Sequence, residues 1–333
     1  MKYLLLGGLW LVLLACASSG QTKKTAASKT SKIRLIIDTD ANNELDDQHA
    51  LAYALFNRQV FDIEGITVNS TRNGGNIQGH YDEAVRVLQL CGAYGDVKIY
   101  KGAQGRYADI QNHLNESTYD GHEAVDFIIK QARANDARPL VLLPIGKLTN
   151  IALALKKAPD IADKVRIVWL GSNYPDPGEY NLDDDTTSVN PVVHSAAPFE
   201  MVVVRNGKPS GTAAVRVTPA DVEANIKGKG LKVPRPVTGR HGNAFTTFGD
   251  YAVDLFSHID LHGSPPSRAL YDMAAVAIVK NPTWADRTEV PAPTLTGNRW
   301  VLPTNNPKKI VIWENFKKDE ILADFYQSLA NPQ

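Results

Sequence analysis

The sequence predicts an α/β protein with a largely parallel, doubly wound sheet in a single domain. Three observations carry this. From residue 33 onward, short apolar runs rich in β-branched residues alternate with stretches of helical period. The 333 residues are 43% hydrophobic and 22% charged, an ordinary globular balance at a length that buries about 75% of the unfolded surface. No internal repeat and no clean linker divides residues 33–331.

The elements follow in order. Lys32–Asp38 (KIRLIID) is a buried-type strand. In 46–56 (DDQHALAYALF), Ala50, Leu51, Ala54 and Leu55 fall on one helical face. Strands are expected at 63–68, 97–100, 139–144 (PLVLLP), 165–170 (VRIVWL), 201–204 and 309–313. Helices are expected at 76–90, 123–134, 148–155, 220–226, 245–258, 270–279 and 316–329. Strand–helix alternation of this kind places a ligand outside the carboxyl ends of the strands. The Gly- and Pro-containing stretch 227–243 is expected to be a long loop and a candidate lid.

The first residues read differently. After Lys2 come thirteen uncharged, mostly apolar residues, Tyr3 to Ala15. A membrane-crossing helix needs about 20, so this is the length of a secretory h-region. Leu13-Leu14-Ala15-Cys16 resembles a bacterial lipobox. The expectation is a lipoprotein signal peptide over 1–16, a lipid anchor on Cys16, and a flexible tether over 17–32. That places the chain in the cell envelope. With Cys16 lipidated, Cys91 has no intramolecular partner and is expected to pack in the core. Lys plus Arg equal Asp plus Glu at 36 each, so no global basic field recruits nucleic acid.

The strongest chemical signal is Asp38-Thr-Asp40-Ala-Asn-Asn-Glu44-Leu-Asp46-Asp47, with five carboxylates in ten residues between a buried strand and a helix. Like charges this close repel and are costly to desolvate, and a cation among them reverses that cost. All-oxygen ligands point to Ca²⁺ or Mg²⁺. Three other readings compete. Helix capping explains one or two of the acids. An EF-hand loop fails at His49 and Asn43, where a bidentate Glu and a Gly belong. A haloacid dehalogenase-type phosphohydrolase, with Asp38 as nucleophile, lacks its Thr at position 42 and leaves Asp46 and Asp47 unused.

DTDANNELDDQHALAYAL is similar to the signature of the inosine/uridine-preferring nucleoside hydrolase family. The resemblance extends through VNSTRNGGN (68–76), LLPIGKLTNIALAL (142–155), VWLGSNYPDPGEYN (168–181) and LYDMAAVAI (270–278), in the family's order. It implies a nucleoside hydrolase-type sheet, a Ca²⁺ ion, and hydrolysis of the N-glycosidic bond of a ribonucleoside. A ribose- or nucleoside-binding lipoprotein without turnover is the alternative. The implied metal ligands are Asp40, Asp47, Asp272 and the carbonyl of Ile145. Asp38 and Asp46 match the remaining acids, with Asp46 facing the ribose. Asn76, Glu179 and Asn181 match sugar-holding positions, and Asp40 is the implied base.

The chain departs from the family in two places. Tyr271 stands where many members have a His, which leaves Tyr271 and His241 as candidate proton donors to the leaving base. The insertion 183–188 is expected to be a solvated acidic turn. The expected partners are a riboside substrate and the membrane through the lipid anchor only. A homo-oligomer is compatible with all of this.

Overall fold

The apolar runs assemble into one eight-stranded sheet. The structure, a computed structural model, describes residues 1, 3, 31–303 and 306–332. Met1–Ser31 and Lys32–Gln333 are separate units, and every element below belongs to the second. Cys16 and nearly all of the expected signal peptide and tether lie outside the described residues. Among the described residues no helix is long and apolar enough to cross a membrane.

The strands are β1 (Ile33–Thr39), β2 (Phe61–Val68), β3 (Lys98–Lys101), β4 (Leu140–Pro144), β5 (Val165–Leu170), β6 (Phe199–Val202), β7 (Asp286–Pro291) and β8 (Lys309–Glu314). Their order across the sheet is β7-β8-β6-β5-β4-β1-β2-β3. Only the β7–β8 pairing is antiparallel. The helices are α1 (Asp46–Leu55), α2 (Ile77–Leu90), α3 (His122–Ala132), α4 (Thr149–Lys157), α5 (Tyr180–Asp184), α6 (Thr186–Val193), α7 (Phe248–Ser257), α8 (Tyr271–Lys280) and α9 (Lys318–Ala330).

Successive strand residues point to opposite faces, so the sheet carries two apolar layers. Leu35, Ile37, Leu143, Val168 and Leu170 pack on one face against α1, α2, α8 and α9. Ile36, Leu142, Ile167 and Trp169 pack on the other against α3, α4 and α6. Cys91 is buried in the first layer, and burial pushes its thiol up. Helix α8 is apolar nearly all round, and Met273 to Val279 are all buried.

The topology fixes where a site can form. The chain runs outward from β1 to β2 and β3, then returns to β4 on the other side of β1. The β1/β4 boundary is therefore the switch point of the sheet, where a crevice opens at the strand carboxyl ends.

Two sequence expectations need correction. Residues 183–188 are not a solvated acidic turn. Asp184 closes α5 and accepts from Arg72, while Asp185 caps α6 and also accepts from Tyr107 N at 2.8 Å and Thr149 Oγ1 at 2.5 Å. Both are buried, because local and long-range donors replace the lost water. The 227–243 stretch is not wholly loop. Val237–Thr238 pairs with Ala244–Phe245 as a short hairpin, tied to α2 by Arg86 Nε donating to Thr238 O at 2.6 Å.

Candidate active site

The acids that follow β1 meet residues from four other elements at the switch point. Asp46 and Asp47 lie in the first turn of α1 and Asp272 in the first turn of α8. Carboxylate oxygens of these three lie within 4.8 Å of one another, and all three residues are buried. Both helix N-termini present their positive ends to this cluster, which favours anionic charge there. None of the three is a helix cap, since Leu45 and Leu270 hold the cap positions without side-chain bonds. Asp40, just beyond β1, lines the same cavity together with Ile145 at the end of β4.

Hydrogen bonds aim the acids. Thr39 Oγ1 donates to Asp47 Oδ1 at 2.5 Å, and Asp40 N donates to the same oxygen at 3.2 Å. Thr71 Oγ1 donates to Asp40 Oδ2 at 2.5 Å, and Asn43 Nδ2 reaches it at 3.3 Å. The loop between β1 and α1 is fastened from beneath. Gln48 Nε2 donates to Ala41 O at 2.7 Å, Asn42 Nδ2 to Gly74 O at 2.7 Å, and the His80 ring bonds Asp40 O at 2.8 Å. Gly146 follows Ile145 because nothing larger fits, as a Cβ there would lie 2.7 Å from Asp40 Oδ1 and 2.8 Å from the Asn69 amide.

The cavity holds about 250 Å³, near the lower end for small-molecule sites of roughly 300–1,000 Å³. Leu170 and Val204 form an apolar wall, while Glu179, Tyr180, Asn181 and Tyr271 supply polar groups. Glu179 Oε2 accepts from Ser172 N at 2.8 Å and Leu182 N at 3.1 Å, which caps α5 and holds the carboxylate at the wall. Asn181 Nδ2 donates to Ile145 O at 2.9 Å and Leu170 O at 3.2 Å. The Ile145 carbonyl keeps a second lone pair for another partner. Tyr180 carries the Arg72 guanidinium over its ring and donates to Thr71 Oγ1 at 3.4 Å.

Three residues singled out from sequence stand elsewhere. Asn76 does not line the cavity. It caps α2, accepting from Gly79 N at 3.1 Å, because an Asn before a helix satisfies an N–H that has no partner within the first turn. His241 also lies outside, bonded through Nδ1 to Asp254 at 2.7 Å on α7. Asp38 is a buried anchor with both oxygens taken, by Thr67 Oγ1 at 2.7 Å, Asn150 Nδ2 at 2.7 Å and Asn69 Nδ2 at 3.0 Å. It does not line the cavity, so it is not placed to act on a ligand there. Trp169 is core, donating to Gly146 O at 3.1 Å. Asn43, Val204 and Asn206 line the cavity and were not foreseen, whereas Glu44, which also lines it, belongs to the five-carboxylate run. Asn206 follows β6, and the strand-end rule was the one signal for it.

Electrostatics define what the site can hold. Burial pushes Asp46 up to about 7, and burial with the neighbouring carboxylates pushes Asp47 and Asp272 upward. Burial raises Asp40 also, against the bond from Thr71. Ion pairs nearby join Arg72 to Asp184 and Arg268 to Glu44. Among the described residues none involves Asp40, Asp46, Asp47 or Asp272. Four buried carboxylates without a basic partner, beside a carbonyl and under two helix N-termini, fit a hard divalent cation bound by oxygen. Tyr271 is raised by burial and by the Asp46 charge, so its phenol keeps its proton at neutral pH.

The chain resembles known proteins in sequence and in fold. The sequence profile described as "Inosine-uridine preferring nucleoside hydrolase" matches residues 35–321. An uncharacterized protein of Schizosaccharomyces pombe is 27% identical over 222 residues, 59% of this chain and 69% of that one. The non-specific ribonucleoside hydrolase RihC of Salmonella enteritidis is 28% identical over 196 residues, 52% of this chain. The match spans 61% of RihC. Among solved structures, a plant nucleoside hydrolase superposes with TM-score 0.69 at 17% identity, covering 91% of this chain and all of its own. A purine-preferring ribonucleoside hydrolase from Gardnerella vaginalis superposes with TM-score 0.67 at 22% identity, covering 89% and 98%.

Proposed function

The chain belongs to the inosine-uridine preferring nucleoside hydrolase family, and from that premise we propose that it hydrolyses the N-glycosidic bond of ribonucleosides with Ca²⁺ as cofactor. The observation that carries this is the convergence of Asp46, Asp47 and Asp272 beside Asp40 and the Ile145 carbonyl in a sugar-sized cavity. Asp40, Asp47, Asp272 and Ile145 O are the residues that would hold the ion, and the tight packing of Asp46 into the same cluster makes it a further neighbour. When bound, the ion supplies Lewis-acid polarisation of the sugar hydroxyls and of water beside the anomeric carbon.

The remaining chemistry is that of the chain's own side chains. Cleaving the bond develops positive charge on the ribosyl ring, and buried carboxylates beneath the ring stabilise it. Asp40 accepts the proton of the attacking water, with Thr71 and Asn43 holding its other oxygen. Asp46, the free oxygen of Glu179 and the side-chain oxygen of Asn181 bind sugar hydroxyls. Tyr271 lines the cavity as a neutral phenol and donates a hydrogen bond to the leaving base. Tyr180, Leu170 and Val204 form the wall against which that base packs.

The test is a reducing-sugar assay on uridine, inosine, cytidine and adenosine with and without a calcium chelator. Ribose release that stops on chelation and returns with Ca²⁺ is the expected result. No ribose from any nucleoside, with nucleoside binding retained, overturns hydrolysis in favour of a binding protein. For the N-terminus, we infer export and lipid attachment at Cys16. Labelled palmitate should enter the wild-type protein and not Cys16→Ala.

A further inference from the structure

A second group of metal-binding side chains converges on α7, away from the acidic cavity. Asp254 lies in the last turn of α7, and His258, four residues on, is the residue that caps its C-terminus. His241 arrives from the tip of the hairpin between Val237–Thr238 and Ala244–Phe245. One ligand atom from each lies within 4.8 Å of the others. His241 Nδ1 is 2.7 Å from Asp254 Oδ2, and His258 Nδ1 is 3.8 Å from Asp254 Oδ1. The two imidazoles stack with centroids 3.8 Å apart at 24°. Asp254 is buried, whereas the side chains of His241 and His258 are 23% and 45% exposed.

A hydrogen-bonded clamp between hairpin and helix would need one imidazole. Asn243 Nδ2 already reinforces it, donating to Asp254 Oδ1 at 3.1 Å. The second ring adds no bond to the hairpin, as its Nδ1 is turned to Asp254 O of its own helix at 2.8 Å. What it adds is a second nitrogen ligand beside the carboxylate. Arg240 Nε lies 3.4 Å from His241 Nε2, a contact that opens when a metal on Nδ1 leaves the ring proton on Nε2.

We propose that His241, Asp254 and His258 form a separate site for Zn²⁺ or a comparable borderline divalent ion, which clips the hairpin tip to α7. Two imidazole nitrogens and one carboxylate oxygen suit Zn²⁺, at about 2.0–2.2 Å from each donor, far better than Ca²⁺. The ion takes the position of the hydrogen between His241 Nδ1 and Asp254, and the neutral ring then carries its one proton on Nε2. Rotation of two partly exposed rings closes the set, and the solvent side supplies the fourth position. The clip adjoins the acidic loop, since Arg240 Nη1 lies 3.5 Å from Asn42 O.

The experiment uses the whole chain, stripped with chelator and then saturated with Ca²⁺ to fill the acidic cavity. Titration with Zn²⁺ by calorimetry should show one equivalent. Affinity should fall at least tenfold in His241→Gln and in His258→Gln, and hold in Asp272→Ala, each checked for folding by circular dichroism. Co²⁺ in place of Zn²⁺ should give a visible absorption band of nitrogen-ligated, four-coordinate type in the wild type, lost in both His variants. No saturable Zn²⁺ binding, no such Co²⁺ band, or undiminished binding in the double variant His241→Gln/His258→Gln overturns the proposal.

Discussion

At the scale of single residues, the acids divide into those that face the cavity and one that does not. Asp272→Ala removes a carboxylate from the tight cluster, and calorimetry should find stoichiometric Ca²⁺ binding abolished. Its stability readout follows by linkage. Wild type at one hundred times Kd gains about 2.7 kcal/mol from the ion, and the variant should gain none. Asp40→Asn should lower kcat by about 10²–10⁴-fold, the usual contribution of a positioned base. Tyr271→Phe keeps the ring and loses the donor, so kcat should fall while KM stays close to wild type. An unchanged kcat would remove Tyr271 from the reaction. Gly146→Ala tests crowding: a Cβ 2.7 Å from Asp40 Oδ1 displaces the base, so activity should fall far more than the thermal midpoint does. The contiguous acids were legible in the sequence because one loop carries them all. Asn206 and Val204 were not, because only the folded sheet brings a turn after β6 opposite the β1 loop, and Asn43 lacks the charge that marks its neighbours in that loop. Asn76 misled for a related reason, since the same residue type caps helices and holds sugars.

At the scale of elements, Asp38 shows how the site is held. Its carboxylate ties the end of β1 to β2 through Thr67 and, through Asn150, to α4. Asp38→Ala leaves Thr67 Oγ1 and Asn69 Nδ2 unpartnered, at roughly 1–3 kcal/mol each, and leaves Asn150 Nδ2 only its 3.1 Å bond to Val68 O. The denaturation midpoint should therefore fall by an amount equivalent to about 2 kcal/mol or more, with an unchanged denaturant slope. Asp38→Asn should cost less, because it retains one acceptor and the volume. An undiminished midpoint in the Ala variant would mean that the three bonds are dispensable. Most strands and helices were legible because apolar period and burial coincide in a sheet covered on both faces. β7 was not, because its residues DRTEVP are nearly all exposed and carry no apolar signal. It forms only because β8 offers an edge. The helices after Asn181 were likewise hidden, since an acidic run reads as solvated until Arg72, Tyr107 and Thr149 arrive from elsewhere to bond it.

At the scale of the whole molecule, the buried acids set how stability responds to pH. Burial raises Asp38, Asp46 and Glu179 to about 7 in the folded chain, well above their ordinary values, and raises Asp40, Asp47 and Asp272 as well. A group whose folded pKa is raised binds its proton more tightly when folded. Its contribution is complete below the unfolded pKa of about 4 and is lost as pH rises through 7. His49 acts in the opposite sense. Burial lowers it to about 4, so its contribution is present above about 6.5 and is lost as pH falls toward 4. Six carboxylates outweigh one imidazole over this window. The metal-free chain should therefore be more stable at pH 5.5 than at pH 8, measured by denaturant midpoint. Saturating Ca²⁺ takes the place of those protons, so it should add little at pH 5.5 and most at pH 8, where the carboxylates are free to ligate. A metal-free chain that gains stability between pH 5.5 and 8, or a Ca²⁺ increment that shrinks over the same range, would mean that the buried acids already share a charge partner, and the cation reading of the cavity would fall with it.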